Sequence, residues 1–188
     1  MMQIARSELI LGGQKSGKSR RAEALAAAWL AASPAHRALL IATGQAHDAE
    51  MRERIARHRR ERTPGLGTIE EPRDLAGALQ RHARADTIIV VDCLTLWLTN
   101  LLMPVDCEQN PPPAQDTRAL AATLLVAIEQ FPGPVVLVGN EIGLGVIPLG
   151  REVRAFVDAL GTLNQQVAAA CERVTLMAAG LPLTLKTP

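Results

Sequence analysis

The stretch LILGGQKSGKSRRAEAL, Leu9 to Leu25, decides how this chain reads. An apolar strand runs into a glycine-rich turn, and the turn opens an alanine-rich run of strong helix formers. Gly12, Gly13, Gln14, Lys15, Ser16, Gly17, Lys18 and Ser19 fill the pattern G-x-x-x-x-G-K-[ST] at every fixed position. Glycines let the backbone curl so that successive N–H groups converge on an anion, and the helix start adds the positive end of its dipole. The spacing predicts a phosphate cradle, with Lys18 reaching the outer phosphates of a nucleotide and Ser19 holding Mg²⁺. The plainer reading is a glycine turn that only joins a strand to a helix.

Outward from this stretch, strand and helix patterns alternate. Ser7–Leu11, Ala38–Thr43, Thr87–Asp92 and Pro134–Val138 read as buried strands, and Val174–Met177 and Leu183–Lys186 as a final pair around Gly180-Leu181-Pro182. Lys18 to about Ala31, Asp48 to about Arg62, Pro72–Ala83, Leu94–Met103, Asp116–Gln130 and Arg151–Cys171 read as helices. Pro104–Gln115 carries four prolines and reads as a loop or excursion. The alternation predicts an α/β fold. We expect one P-loop NTPase-like domain over residues 1–188, its mostly parallel sheet covered by helices on both faces and closed by a C-terminal strand pair. Asp92 closes the β-branched run TIIVVD. There a carboxylate either shares the metal with Ser19 or caps the next helix.

Composition narrows the function classes. The chain has 188 residues, enough for a full core, and 48% of them are hydrophobic, which excludes disorder. Aromatics make up 2% and tyrosine is absent, which disfavours a base-stacking surface for single-stranded nucleic acid. A formal net charge of +1 gives no global field to attract nucleic acid or an anionic membrane. The three cysteines, Cys93, Cys107 and Cys171, are scattered, as expected of reduced thiols in the cytoplasm. The basic-then-apolar run from Lys18 to Ala32 mimics a secretory signal, but a strand and a glycine turn precede it. No run has the length of a membrane span.

The stretch AEMRERIARHRRERTPG carries a second candidate. At helical spacing, Met51, Ile55 and His58 share a face, which turns the imidazole inward among Arg54, Arg59 and Arg62. Neighbouring guanidinium groups favour the neutral ring, and a neutral imidazole is a nucleophile. The arginines suit bidentate contact with phosphate oxygens. Read from residues alone, a solvated basic helix with a histidine at its edge is the favoured reading. His36 falls in a turn and His82 near a helix end, leaving His47 as the rival.

Several stretches together resemble one family, the bifunctional adenosylcobinamide kinase / adenosylcobinamide-phosphate guanylyltransferases of cobalamin biosynthesis. LGGQKSGKSRRAEAL, IATGQ, DAEMRERIARHRRER, TIEEP, VDCLTLWLTNLL, VGNEIGLGVIP, GTLNQQVAAACERV and AAGLPLTLK carry the resemblance, in order, over nearly the whole chain. The resemblance implies two reactions. A nucleoside triphosphate (GTP, or ATP for this step) phosphorylates adenosylcobinamide, and GTP then donates GMP to adenosylcobinamide phosphate through a GMP–histidine intermediate. It places that histidine at His58, GTP contacts at Gly12–Ser19, Ile41, Ala42, Thr43, Arg59, Arg60, Glu61, Arg62, Glu70 and Asp92, and a homo-oligomer as the assembly. Glu70 is a guanine acceptor or simply a carboxylate at a helix start. The loop Asn140–Gly145 is the candidate corrinoid side. The chain departs from the usual pattern at Gln14-Lys15, where Ala-Arg is common, at Leu66-Gly67, where a tryptophan often precedes Thr68, and at Gly139, where Ser or Thr is common. A kinase without guanylyl transfer and a nucleotide-binding regulatory module are the alternatives.

Overall fold

The computed structural model describes residues 3–46, 49, 52, 53, 56, 60, 62–103 and 116–188. Its seven strands are β1 (Ser7–Gly12), β2 (Arg37–Ala42), β3 (Leu66–Glu70), β4 (Thr87–Asp92), β5 (Val135–Val138), β6 (Arg173–Ala178) and β7 (Leu181–Lys186). They form one sheet in the order β3-β2-β4-β5-β1-β6-β7. Every neighbouring pair from β3 to β6 is parallel, and β7 returns antiparallel along β6. Among the described residues the continuous helices are α1 (Lys18–Ala32), α2 (Leu75–Arg81), α3 (Leu94–Leu102), α4 (Thr117–Gln130) and α5 (Arg151–Ala170). Among the described residues no helix is long and apolar enough to cross a membrane.

The strand period of two sorts the core into two layers. Leu9 and Leu11 of β1, Ile41 of β2, Ile89 and Val91 of β4, and Val135 and Leu137 of β5 face one way, toward Leu79, Trp97, Leu124 and Leu163 of α2, α3, α4 and α5. Ile10, Leu40, Val90 and Val136 face the other way, toward Ala22, Leu25 and Ala26 of α1. Strands covered on both faces read as continuous apolar runs, which is why TIIVVD was legible. Few aromatics are needed because aliphatic residues, chiefly Leu, Ile and Val, fill both layers, with Trp97 the largest buried side chain among the described residues.

Two elements differ from the sequence reading. Leu66–Glu70, to which no strand was assigned, forms β3 at the sheet edge. Only Leu66 in it is buried, so it lacks the apolar signal of the central strands. The helix expected over Pro72–Ala83 begins at Leu75, because the Asp74 side chain accepts from the Gly77 amide at 3.0 Å and sets the cap there. Ala49, Arg52, Glu53, Ala56 and Arg60 are helical, as expected of that stretch. His58, Arg59, Glu61, His47 and the segment Pro104–Gln115 lie outside the described residues.

One buried polar cluster joins the glycine turn's helix to the sheet. Glu8 on β1 is 1% exposed. Its Oε1 accepts from Arg21 Nε at 3.1 Å, Arg21 Nη2 at 2.9 Å and Thr175 Oγ1 at 2.8 Å. Arg173 Nη1 stands 3.7 Å from Oε2. Removing one partner of a buried ion pair strands the other charge, which costs far more than losing an exposed pair. Glu8→Ala is therefore expected to destabilise the protein by about 3–5 kcal/mol in urea unfolding, with Glu8→Gln losing less because it keeps the volume and an acceptor oxygen.

Candidate nucleotide site

All parallel strands end at the same edge, and the candidate residues collect there. Ala42 pairs with Glu70 on one side and with Asp92 on the other, and Asp92 in turn pairs with Val138. Val138 pairs with Ile10, so β5 stands between the strand of the glycine turn and the strand of Asp92. In open α/β sheets the crevice beyond such strand ends is where ligands bind.

The turn Gly12–Ser19 wraps tightly at this edge. Gly12 has φ 152° and Gly17 has φ 100°, and Lys15 also takes a positive φ of 54°. A Cβ on Gly12 would lie 2.5 Å from the Met177 carbonyl oxygen and 2.6 Å from Ser16 Oγ. The turn is also latched from behind, since the Gly180 amide donates to the Ser16 carbonyl at 3.0 Å. Gly12→Ala is expected to lower nucleotide affinity more than tenfold in a titration and to lower stability by about 1–3 kcal/mol, because neither the carbonyl nor the loop has room to give.

Lys18 is 8% exposed, and its ammonium folds back along the turn to donate to the Gly13 carbonyl at 2.6 Å. Ser16 Oγ is buried and has no hydrogen-bond partner, a polar atom held ready inside the cradle. Burial pushes the Cys93 thiol up to about 11, the charge of adjacent Asp92 adds to this, and the backbone amides of Leu96 and Thr95, with a smaller part from Lys18, pull it partly back.

The floor of the crevice is braced by polar side chains, of which only Thr43 was named from the sequence, while Thr95, Asn100 and Asn164 were passed over. Thr43 Oγ1 donates to the Cys93 carbonyl at 2.7 Å and accepts from the Cys93 amide at 2.8 Å, tying the ends of β2 and β4. Asn100 Nδ2 donates to the Thr43 and Pro72 carbonyls at 2.7 and 3.0 Å. Thr95 Oγ1 accepts from the Asn140 amide at 2.9 Å, and Asn164 Nδ2 donates to the Asn140 carbonyl at 3.1 Å. The available signal was the burial of Thr95 and Asn100 within an otherwise apolar helix, TLWLTN, since polar groups are kept there only when bonded.

The remaining candidates divide. Ile41 is fully buried and its side chain belongs to the core layer of α2–α5, while Thr43, equally buried, serves as the brace. Glu70 is exposed and shares a cleft of about 660 Å³ with Arg62, Thr63, Leu66 and Thr68, at the outer edge of the sheet. There Arg62 Nη1 donates to Thr68 Oγ1, and Arg62 Nε is buried without a partner. Arg60 is exposed. Among the described residues no group of three or more His, Cys, Asp or Glu is placed to hold a metal ion. Ser19 and Asp92 offer hard oxygen donors, a set that suits Mg²⁺, which is held by one or two protein oxygens together with substrate phosphates.

A parallel sheet with a complete glycine–lysine phosphate loop at its ligand edge is the fold of a P-loop nucleotide-binding protein. The same fold is seen in the flagellar accessory protein FlaH from Methanocaldococcus jannaschii, which this chain resembles with a TM-score of 0.55 and 12% sequence identity, over 99% of this chain and 80% of that one. At the level of sequence, residues 8–185 match the model of the cobinamide kinase / cobinamide phosphate guanyltransferase family. The bifunctional adenosylcobalamin biosynthesis protein CobP of Pseudomonas aeruginosa is 50% identical over 180 residues, covering 95% of this chain and 96% of the relative. The bifunctional adenosylcobalamin biosynthesis protein CobU is 35% identical in Escherichia coli and 37% in Salmonella typhimurium, each over 95% of this chain and 98% of the relative. The chain belongs to the cobinamide kinase / cobinamide phosphate guanyltransferase family.

Proposed function

We propose that this chain phosphorylates the aminopropanol hydroxyl of adenosylcobinamide and then transfers GMP from GTP to the resulting phosphate, with His58 as the covalent carrier. The observation that carries the reading is a phosphate loop with all its fixed residues, set at the ligand edge of a chain that matches the family over residues 8–185. In the guanylyl step His58 attacks the α-phosphorus of GTP and pyrophosphate leaves. The cobinamide phosphate then displaces His58 and forms adenosylcobinamide-GDP. Splitting one transfer into two displacements is nucleophilic catalysis. The amides of Gly12–Ser19 and the ammonium of Lys18 take up the charge that grows on the departing phosphates. Mg²⁺ held by Ser19 and Asp92 would neutralise the outer phosphates.

On this reading Arg59, Arg60, Glu61 and Arg62 flank the phosphates and sugar, and Glu70 accepts from the guanine edge in the cleft it shares with Arg62 and Thr68. The loop after β5 faces the acceptor. It leaves Leu144, Val146, Ile147 and Leu149 at least 75% exposed, an apolar apron beside a phosphate loop, suited to the hydrocarbon rim of a corrinoid. A single catalytic domain, working in the cytoplasm as a homo-oligomer, completes the proposal.

The test is incubation with GTP labelled at the α-phosphate, followed by denaturation. The expected product is an acid-labile, alkali-stable protein adduct that is discharged by added adenosylcobinamide phosphate. Cobinamide phosphorylation without any adduct would instead make the protein a kinase alone, and nucleotide binding without turnover would make it a regulatory module.

A further inference from the structure

The kinase step needs a group to take the proton of the acceptor hydroxyl, and on the reading above Asp92 is given to the metal. We propose that Glu141 is that group. The inference rests on the kinase half of the reading above.

Three observations converge on this residue. Glu141 follows β5, the strand inserted between those of the phosphate loop and Asp92. Its backbone amide donates to the Gly12 carbonyl at 3.1 Å, which fastens it to the first residue of the loop. That is the end of the loop where the terminal phosphate belongs: the lysine of such a loop reaches the outer phosphates, and Lys18 Nζ sits at Gly13. Glu141 therefore stands beside the phosphorus that moves in the kinase step, away from the helix start that holds the inner phosphates.

The side chain fits the task. Glu141 is half-buried, and its Oε1 accepts from the Gly143 amide at 2.8 Å, which fixes the carboxylate on one oxygen. Among the described residues no ion pair involves it. The apolar apron of Leu144, Val146, Ile147 and Leu149 begins directly after it, so an acceptor lying on that apron brings its hydroxyl to this carboxylate.

The step balances. The hydroxyl oxygen forms a bond to the γ-phosphorus as the bond from that phosphorus to the β,γ-bridging oxygen breaks. The hydroxyl proton passes to Glu141 and then to water, and the nucleoside diphosphate leaves in the loop. General-base assistance of this kind contributes typically about 10²–10⁴-fold.

Glu141→Gln separates this role from a structural one, because the amide oxygen still accepts from Gly143 while the base is gone. With adenosylcobinamide and either ATP or GTP, the expected result is a fall in kinase kcat of about 10²–10⁴-fold, with the acceptor KM changed less than threefold and nucleotide affinity kept. Glu141→Asp, which keeps a carboxylate on a shorter arm, is expected to recover part of the rate. The inference is overturned by a Gln variant with wild-type kcat, and equally by one whose nucleotide affinity falls in step with its rate, which would mark Glu141 as a part of the loop's framework. A wild-type protein that phosphorylates no cobinamide removes the kinase reading itself and the inference with it, whereas a silent Gln variant of an active enzyme removes the inference alone.

Discussion

Lys18→Ala is expected to slow both phosphorylation of adenosylcobinamide and guanylyl transfer by about 10²–10³-fold in kcat, while the thermal melt stays close to wild type. The size follows from where the ammonium sits. It is nine-tenths buried in the turn, so its charge acts through little water, and each reaction expels a polyphosphate or nucleotide tail that must leave with added negative charge. Arginine should not rescue the variant. A planar guanidinium is wider than the slot in which Nζ lies 2.6 Å from the Gly13 carbonyl, and it cannot act as the same compact charge. Steady-state kinetics of the two reactions on the same preparation check the prediction. A variant that loses one reaction and keeps the other at full rate would mean two separate phosphate seats, and the shared loop would have to be abandoned.

His58→Ala has the opposite selectivity. The adduct from α-labelled GTP is expected to vanish, and guanylyl transfer to fall on the order of 10⁴-fold or more, as when a covalent nucleophile is deleted. Phosphorylation of adenosylcobinamide should persist, because that displacement occurs at the terminal phosphorus and requires no carrier. Added imidazole offers a further check: it can occupy the space of the lost ring and accept GMP, restoring part of the transfer without restoring a labelled protein. If the alanine variant still becomes labelled, another residue is the carrier, and His47 is the first to replace, as the rival histidine of the sequence.

The central architecture was legible because physical demands left marks in the residues. Strands β1, β4 and β5 are covered on both faces, so their middle residues run as Leu, Ile and Val. The turn at Gly12–Ser19 needs positive φ at Gly12 and Gly17, and only glycine supplies it without strain. What escaped notice leaves weaker marks. β3 is an edge strand with four of its five residues at least partly exposed, and its glycine and glutamate belong as readily to a loop. The order of the strands is invisible in a list of segments, so the position of β5 between the loop strand and the Asp92 strand, and with it the significance of Glu141, appears only in three dimensions. The family resemblance names Thr43 as a GTP contact, yet its hydroxyl is spent on both backbone groups of Cys93. Hydrogen bonds across fifty residues carry no local pattern.

The latch from Gly180 to Ser16 has a consequence for how the protein comes into being. The loop's motif is synthesised well before the strands that flank β1, β5 and β6, and well before the hairpin turn behind the loop. A nascent chain thus displays the signature long before it owns a seat for the nucleotide, and the ability to grip phosphate arrives late and all at once, when the beginning and the end of the fold close on each other.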